Sequence, residues 1–324
     1  MILILSNEVD TTTDKVTSWL YYYKIPFLRI NNDENIDIIK SVVISNDTNE
    51  IVIKHNEKEY KLSEFTIIWN RRGYFRASMT SLQTTNLSIK KAFNNVEVHL
   101  KDEVKTLFDY IYYKVDEIPH INNPRMYNAN KLIALDMAVK SGIKIPLSYI
   151  SKDISVLKNS STKYISKSIQ DLLSYWDENI NFGQEVIELE DCLHINNFFY
   201  SLIQERINKV YEIRSFVFFD KIYSMAIFSQ NNEKTKLDFR NYDRNKPNRM
   251  VPYNLPKKIE NKILKFMKCI KMESGSIDFI FDGKDYIFLE INPVGQLDFL
   301  SVLCNYNIEK HIADFLKQKN DEIN

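Results

Sequence analysis

YIFLEINPVGQLDF, residues 286–299, is an apolar, strand-like run that carries two polar side chains, Glu290 and Asn292, with one isoleucine between them. Residues two apart on a strand share a face. Glu290 and Asn292 therefore project together, and Leu289 and Ile291 turn to the opposite layer. Upstream, SIDFIF (residues 276–281) supplies a partner strand around a turn at Asp282–Gly283, which sets Asp278 roughly across from Glu290. Two carboxylates and an amide oxygen on one face, with no Cys or His among them, are the donor set of a hard cation such as Mg²⁺ or Mn²⁺. An exposed polar pair on a solvated face has the same spacing, and spacing alone does not separate the two.

A cation that serves phosphate comes with basic side chains. Lys131 begins a helix, Lys167 ends the short strand YISK, Arg214 lies in EIRSF between apolar neighbours, and Arg240 lies in LDFRN. Taken singly, each of these is an ordinary solvated charge; Arg214, on a strand with Ile213 and Phe216, is the least ordinary. The run Gln204-Glu205-Arg206-Ile207 closes an apolar strand and offers backbone groups to a planar base.

The rest of the chain sets limits. Its 324 residues suit two or three packed subdomains. Lys+Arg and Asp+Glu both total 43, so bulk charge gives no case for nucleic acid or an anionic membrane. Cys192, Cys269 and Cys304 are far apart, form no CxxC pair and read as small buried hydrophobes in a reducing cytoplasm. The apolar start is too short for a signal core, and no run reaches membrane-spanning length. Six glycines exclude a glycine-rich phosphate cradle as the main grip, and SNEVDTTTDK after the first strand lacks the dinucleotide fingerprint. The five histidines are dispersed, and there is no Ser/His/Asp or Cys/His arrangement.

Periodicity predicts strands at 1–5 and 27–30 around a helix at 15–23, then two or three short strands over 41–62 and a strand at 65–70 ending in WNRRG. It predicts a helix over 82–113 in two pieces, a boundary at PHINNP (residues 119–124) and a helix over 128–141 closed by Gly142. Strands follow at 164–167, 202–207, 212–219 and 222–228, with strand character at 184–189, and then a polar loop over 231–250. A helix at 256–272, the hairpin of 276–281 with 286–291, and a closing helix over 297–317 complete the chain.

The order Lys131, Lys167, Gln204-Glu205-Arg206-Ile207, Glu212-Ile213-Arg214, Arg240, Asp278, Glu290-Ile291-Asn292-Pro293 resembles the ATP-grasp family from Asn122 to about Phe315. The GSIDFIF…YIFLEINPVGQ ending is its most specific part. Within that family the start of the chain, WNRRG and LDFRNYD are similar to peptide maturases of the microviridin (graspetide, grasp-with-spasm) type. The resemblance implies an α/β (α+β) fold: a pre-ATP-grasp α/β domain over 1–118, a central subdomain over 119–200 and a C-terminal subdomain over 201–324 with the Mg²⁺/ATP site. It implies that Lys131 and Lys167 hold ATP phosphates, that Gln204, Glu205 and Ile207 line the adenine hinge, and that Glu212 meets the ribose. Arg214, Asp238 and Arg240 would serve catalysis, with Arg240 also near phosphate, and Asp278, Glu290 and Asn292 would hold two Mg²⁺ ions. The implied activity is ADP-forming ligation of Asp or Glu side chains to Thr, Ser or Lys of a ribosomal precursor peptide, through an acyl phosphate. Residues 169–199 would bind the leader. A SPASM-type partner encoded nearby and a homodimer are the further partners it implies. Where relatives carry a glycine-rich flap, this chain has SVLKNSSTKYISK, which puts the flap's phosphate contacts in question. Competing readings are a glutamate ligase extending a C-terminus, a non-catalytic peptide-binding module and a small-molecule ligase. Arg71 and Arg72 read as a structural ion-pair site.

Overall fold

Strand β1 (Ile2–Ser6) is buried at every position and is the axis of the first sheet. The computed structural model describes residues 1–32, 38–73, 75, 87–123, 129–153, 162–170, 175–176, 181–182, 186–189, 197–241 and 243–323. Their packing divides the chain into two units, residues 1–127 with 307–324, and residues 128–306.

In the first unit, helix α1 (Thr11–Tyr22) follows β1 and is capped by Asp10, whose carboxylate accepts from the Thr13 N–H at 2.7 Å. Strand β2 (Phe27–Asn31) pairs parallel with β1. Strands β3 (Ile39–Ile44), β4 (Asn49–His55) and β5 (Lys58–Lys61) form a separate antiparallel sheet. Strand β6 (Ile67–Asn70) then returns to the other side of β1, and β7 (His120–Ile121) extends the sheet to the order β2-β1-β6-β7. Helix α2 (Leu87–Val115) is continuous for 29 residues, where two pieces were expected. Its Ile111 and Val115 pack with Leu3, Leu5 and Ile68 in one apolar cluster.

The arginines of WNRRG do form an ion-pair site. Arg71 reaches Asp10 at 3.4 Å and Thr12 Oγ1 at 2.9 Å, and Arg72 reaches the other Asp10 oxygen at 2.6 Å. The N–H groups of Arg71, Arg72 and Gly73 all converge on the Leu5 carbonyl, at 2.9, 3.2 and 3.1 Å. The backbone comes so close that a Cβ on Gly73 would lie 2.4 Å from the Leu5 carbonyl carbon.

The second unit opens with α3 (Lys131–Lys140), capped by Asn130 and ended by Gly142 at φ +78°. Strand β8 (Ser148–Asp153), which periodicity did not anticipate, is the edge of the sheet β12-β9-β13-β8. Its other strands are β9 (Tyr164–Lys167), β12 (Ile187–Glu188) and β13 (Asn197–Glu205); β10 (Tyr175–Trp176) and β11 (Asn181–Phe182) pair with each other.

The larger sheet has the order β16-β15-β14-β17-β18, antiparallel throughout. It comprises β14 (Tyr211–Phe218), β15 (Lys221–Phe228), β16 (Arg249–Tyr253), β17 (Ser274–Phe281) and β18 (Tyr286–Asn292). The polar loop ends earlier than expected, because its last residues form β16. That strand tolerates Pro252 because it is an edge. Helix α4 (Lys257–Cys269) buries Phe266, whose ring lies 5.2 Å from that of Phe288.

The expected single closing helix is two, α5 (Asp298–Leu303) and α6 (Ile308–Ile323), separated by Asn305 and Asn307 in left-handed conformations. Helix α6, grouped with residues 201–324 by the sequence, packs in the first unit: Tyr23 donates to Asp314 at 2.6 Å, and Thr66 to Asn320 at 2.9 Å. Cys304 is buried, but Cys269 is exposed at the end of α4, contrary to its reading as a core hydrophobe; Cys192 lies outside the described residues. No described helix is long and apolar enough to cross a membrane.

Candidate active site

The central strands of the larger sheet carry charge on one face. Their register sets Arg214 on β14 against Asp278 on β17, and Asp278 against Glu290 on β18, so three side chains form one row across the sheet. Arg214 and Asp278 are 4% and 6% exposed, and the guanidinium reaches the carboxylate at 3.2 Å. Burial disfavours the Asp278 anion, Arg214 favours it, Glu290 disfavours it again, and the carboxyl is pushed up to about 6.

A β-bulge shapes the row. Asp278 pairs with Glu290 but Phe279 pairs with Phe288, so Leu289 is the extra residue. Strict alternation counted back from Asn292 puts Leu289 in the opposite layer and Phe288 on the site face. The bulge reverses this: Phe288 returns to the core against Phe266, and Leu289 lines the site cleft beside Glu290. Ile291 is buried, as expected.

Around the row, the loop after β15 brings in Asp238 and Arg240. The Arg240 guanidinium forks onto Asp238, with Nε and Nη2 at 2.9 and 2.7 Å, and its Nη1 reaches Glu290 at 3.2 Å. Burial opposes the Arg240 charge, but the bonds to Asp238 and the Glu290 charge outweigh it and hold the guanidinium above its ordinary value. Asp238 is held below the usual carboxylate range: burial raises it, and Arg240 more than compensates. Lys167, at the end of β9, lines the same cleft. Burial lowers its ammonium, Glu290 and Asp238 draw it up, and Arg240 and Lys131 push it down.

The residues expected at the adenine hinge also meet here. Glu205, Ile207 and Gln204 line the cleft, and the Gln204 amide donates to Ser148 Oγ at 3.0 Å while its buried oxygen has no partner among the described residues. Glu212 is buried and its carboxyl is raised by that burial, against Lys209 at 2.6 Å and the Ser229 hydroxyl at 2.6 Å. Three expected residues adjoin the cleft without lining its wall: Lys131 acts on Lys167 through its charge, Asn292 shares the site face, and Arg214 pairs with Asp278. Lys131 Nζ donates to the Gln170 carbonyl at 3.1 Å and is not in the cleft wall. Asn292 shares the site face, but its amide oxygen accepts from the Val294 and Gly295 N–H groups at 3.0 and 3.2 Å, so it also holds the turn. The segment 169–199, expected to bind a leader, and the stretch 155–167, expected to stand where relatives have the flap, lie in large part outside the described residues.

Three residues escaped the sequence reading. Lys209 lies in the cleft wall. Gln296, at φ +33°, accepts from Arg214 Nη2 at 3.4 Å, and the Phe299 ring lies 5.3 Å from the same guanidinium. Only the strained backbone of NPVGQ could have flagged Gln296, and that strain is invisible in sequence.

Among the described residues, no group of three or more His, Cys, Asp or Glu side chains is placed to hold a metal ion. Asp278 and Glu290, adjacent across two strands and oxygen-only, nevertheless fit a hard divalent cation that completes its shell with other oxygens.

No protein-family model matches the chain, and no curated protein matches it. Solved structures do. A RiPP-associated ATP-grasp ligase of Chryseobacterium gregarium, in complex with ADP and a leader and core peptide, is 24% identical, with a TM-score of 0.76 over 98% of this chain and 96% of that one. The macrocyclase MdnC of Microcystis aeruginosa MRC, bound with precursor peptide MdnA, is also 24% identical, with a TM-score of 0.74 over 98% and 99%. The D-alanine–D-alanine ligase of Bacillus anthracis complexed with ATP is 12% identical, with a TM-score of 0.54 over 99% and 97%. The chain has the ATP-grasp fold over its whole length.

Proposed function

We propose that the protein is an ATP- and Mg²⁺-dependent, ADP-forming ligase. It would join Asp or Glu side chains of a ribosomal precursor peptide to Thr, Ser or Lys side chains as macrocyclic esters or amides. The observation that carries the reading is the row Arg214–Asp278–Glu290 with Arg240 forked onto Asp238 beside it, on an ATP-grasp fold. Peptide-bound solved structures of the same fold support the substrate class.

In this reading Asp278 and Glu290, with Asn292, would hold Mg²⁺, which would supply charge neutralisation at the phosphates. Lys167 and Lys131 orient those phosphates, and the Glu205–Ile207 hinge takes the base. Arg240 and Arg214 neutralise the peptide carboxylate so that it can approach the γ-phosphate, and then neutralise the acyl phosphate formed. A hydroxyl or amine of the peptide displaces phosphate from that intermediate. No protein nucleophile is needed.

The test is to combine the protein, ATP, Mg²⁺ and the peptide encoded beside its gene, and weigh the peptide. Loss of one water per link is expected. A gain of amino-acid mass, with free glutamate consumed, would replace this reading by C-terminal glutamate ligation.

A further inference from the structure

Lys209 is a lysine that nothing in the reaction scheme uses, yet its side chain is only 6% exposed in the wall of the cleft. A buried ammonium persists only where acceptors hold it. Here they come from two different parts of the unit. Its Nζ donates to Glu212 Oε1 on β14 at 2.6 Å, and to the main-chain carbonyl of Leu237, in the loop after β15, at 3.0 Å. Leu237 immediately precedes Asp238, the anchor of Arg240. The same loop is tied a second time to the same carboxylate, because Ser229 donates to Glu212 Oε2 at 2.6 Å and Gln230 bridges Ser229 to the Lys236 carbonyl. Lys209 itself lies two residues after Ile207, in the connection from β13 to β14. One ammonium thus spans the hinge that would take the base and the loop that carries Asp238 and Arg240.

We infer that Lys209 is a positioning residue that clamps the Asp238–Arg240 loop to the nucleotide hinge, so that the nucleotide-binding cleft is preassembled. The inference rests on the nucleotide reading of the cleft. A hydrogen bond to a main-chain carbonyl fixes a loop without specifying its side chains, and preorganisation raises affinity by removing the ordering cost from binding. An arginine at 209 keeps the charge and both donor directions; a methionine keeps the stem and loses them.

The test is calorimetric titration of the full chain with Mg·ADP, followed by steady-state kinetics. Wild type must bind; if it does not, the nucleotide reading fails before the clamp is tested. If it binds, Lys209→Met should weaken Mg·ADP at least tenfold and raise KM for ATP more than it lowers kcat, and Lys209→Arg should recover most of the loss. Removing one partner of a buried pair can compromise folding, so the second comparison is Glu212→Gln against the double variant Lys209→Met/Glu212→Gln. Both lack the buried carboxylate, and only the first keeps the bond to Leu237. The double variant should bind at least threefold more weakly. Equal affinity of these two variants, or an arginine variant as impaired as the methionine one, would overturn the clamp.

Discussion

Asp10 shows how one side chain can be both cap and counter-ion. Burial opposes its charge, but Arg71, the Thr13 N–H and Arg72 outweigh the burial and hold its carboxyl below the ordinary value of 3.8. A carboxyl depressed in the folded state contributes stability above its unfolded value, and that contribution is lost as pH falls through the folded value. Asp10→Asn should therefore lower the unfolding free energy by about 3 kcal/mol at neutral pH, since it leaves a buried arginine without its partner. The gap to wild type in urea unfolding should stay constant down to about pH 5 and close as pH falls through the depressed folded value. A gap independent of pH would mean that the Asp10 charge is not what matters, since asparagine keeps the cap. In the cleft, Glu290→Gln removes one charge at nearly constant volume. It should abolish turnover, measured as ADP release with peptide present, with an unfolding midpoint within a few degrees of wild type. Surviving turnover would remove Glu290 from the metal site. At this scale the sequence was informative where chemistry repeats by residue type: Glu290, Asp278, Arg214, Lys167, Asp238 and Arg240 all come together. It was silent on Lys209 and Gln296, because an exposed and a buried lysine look alike in a chain, and a left-handed glutamine leaves no pattern.

The bulge at Leu289 decides which residues of β18 see the cleft, and a pair of truncations can detect it. If Leu289 lines the cleft, Leu289→Ala should raise KM for ATP severalfold with little change in stability. Ile291→Ala, in the core, should cost about 2–5 kcal/mol in unfolding and leave KM near wild type. Regular alternation would make the two variants alike, and alike results would contradict the bulge. Glycine at 73 is an equally local requirement. Gly73→Ala drives a methyl into the Leu5 carbonyl, and the unfolding midpoint should fall measurably while the conservative neighbour change Arg72→Lys does much less. Strands that alternate or run apolar, such as β1, β6, β14 and β17, were legible from period and composition. Strands β8 and β16 were not. Strand β8 (SYISKD) is half-polar at a sheet edge, and β16 carries a proline that an edge position excuses but a pattern rule counts against it. The break between α5 and α6 depends on two asparagines tolerating the left-handed region, which the helical period of 297–317 conceals.

The whole chain is two units, and its last helix belongs to the first of them by packing, although sequence order sets it beside the hairpin of β17 and β18. The ATP-grasp fold was legible because the order of lysines, arginines and carboxylates along the chain resembles that family's, even though SVLKNSSTKYISK carries no glycine. What the order does not convey is how the charges balance: Asp278 against Arg214, Glu290 and Asp238 against Arg240 and Lys167, Glu212 against Lys209. Together these pairings keep the buried charges of the cleft matched. The central claim is that this cleft activates a peptide carboxylate with ATP. The most direct measurement uses precursor peptide whose Asp and Glu side chains carry ¹⁸O, turned over with Mg·ATP in unlabelled water. Carboxylate activation predicts one ¹⁸O transferred to inorganic phosphate for every link formed. Unlabelled phosphate accompanying a peptide that has lost water would contradict it.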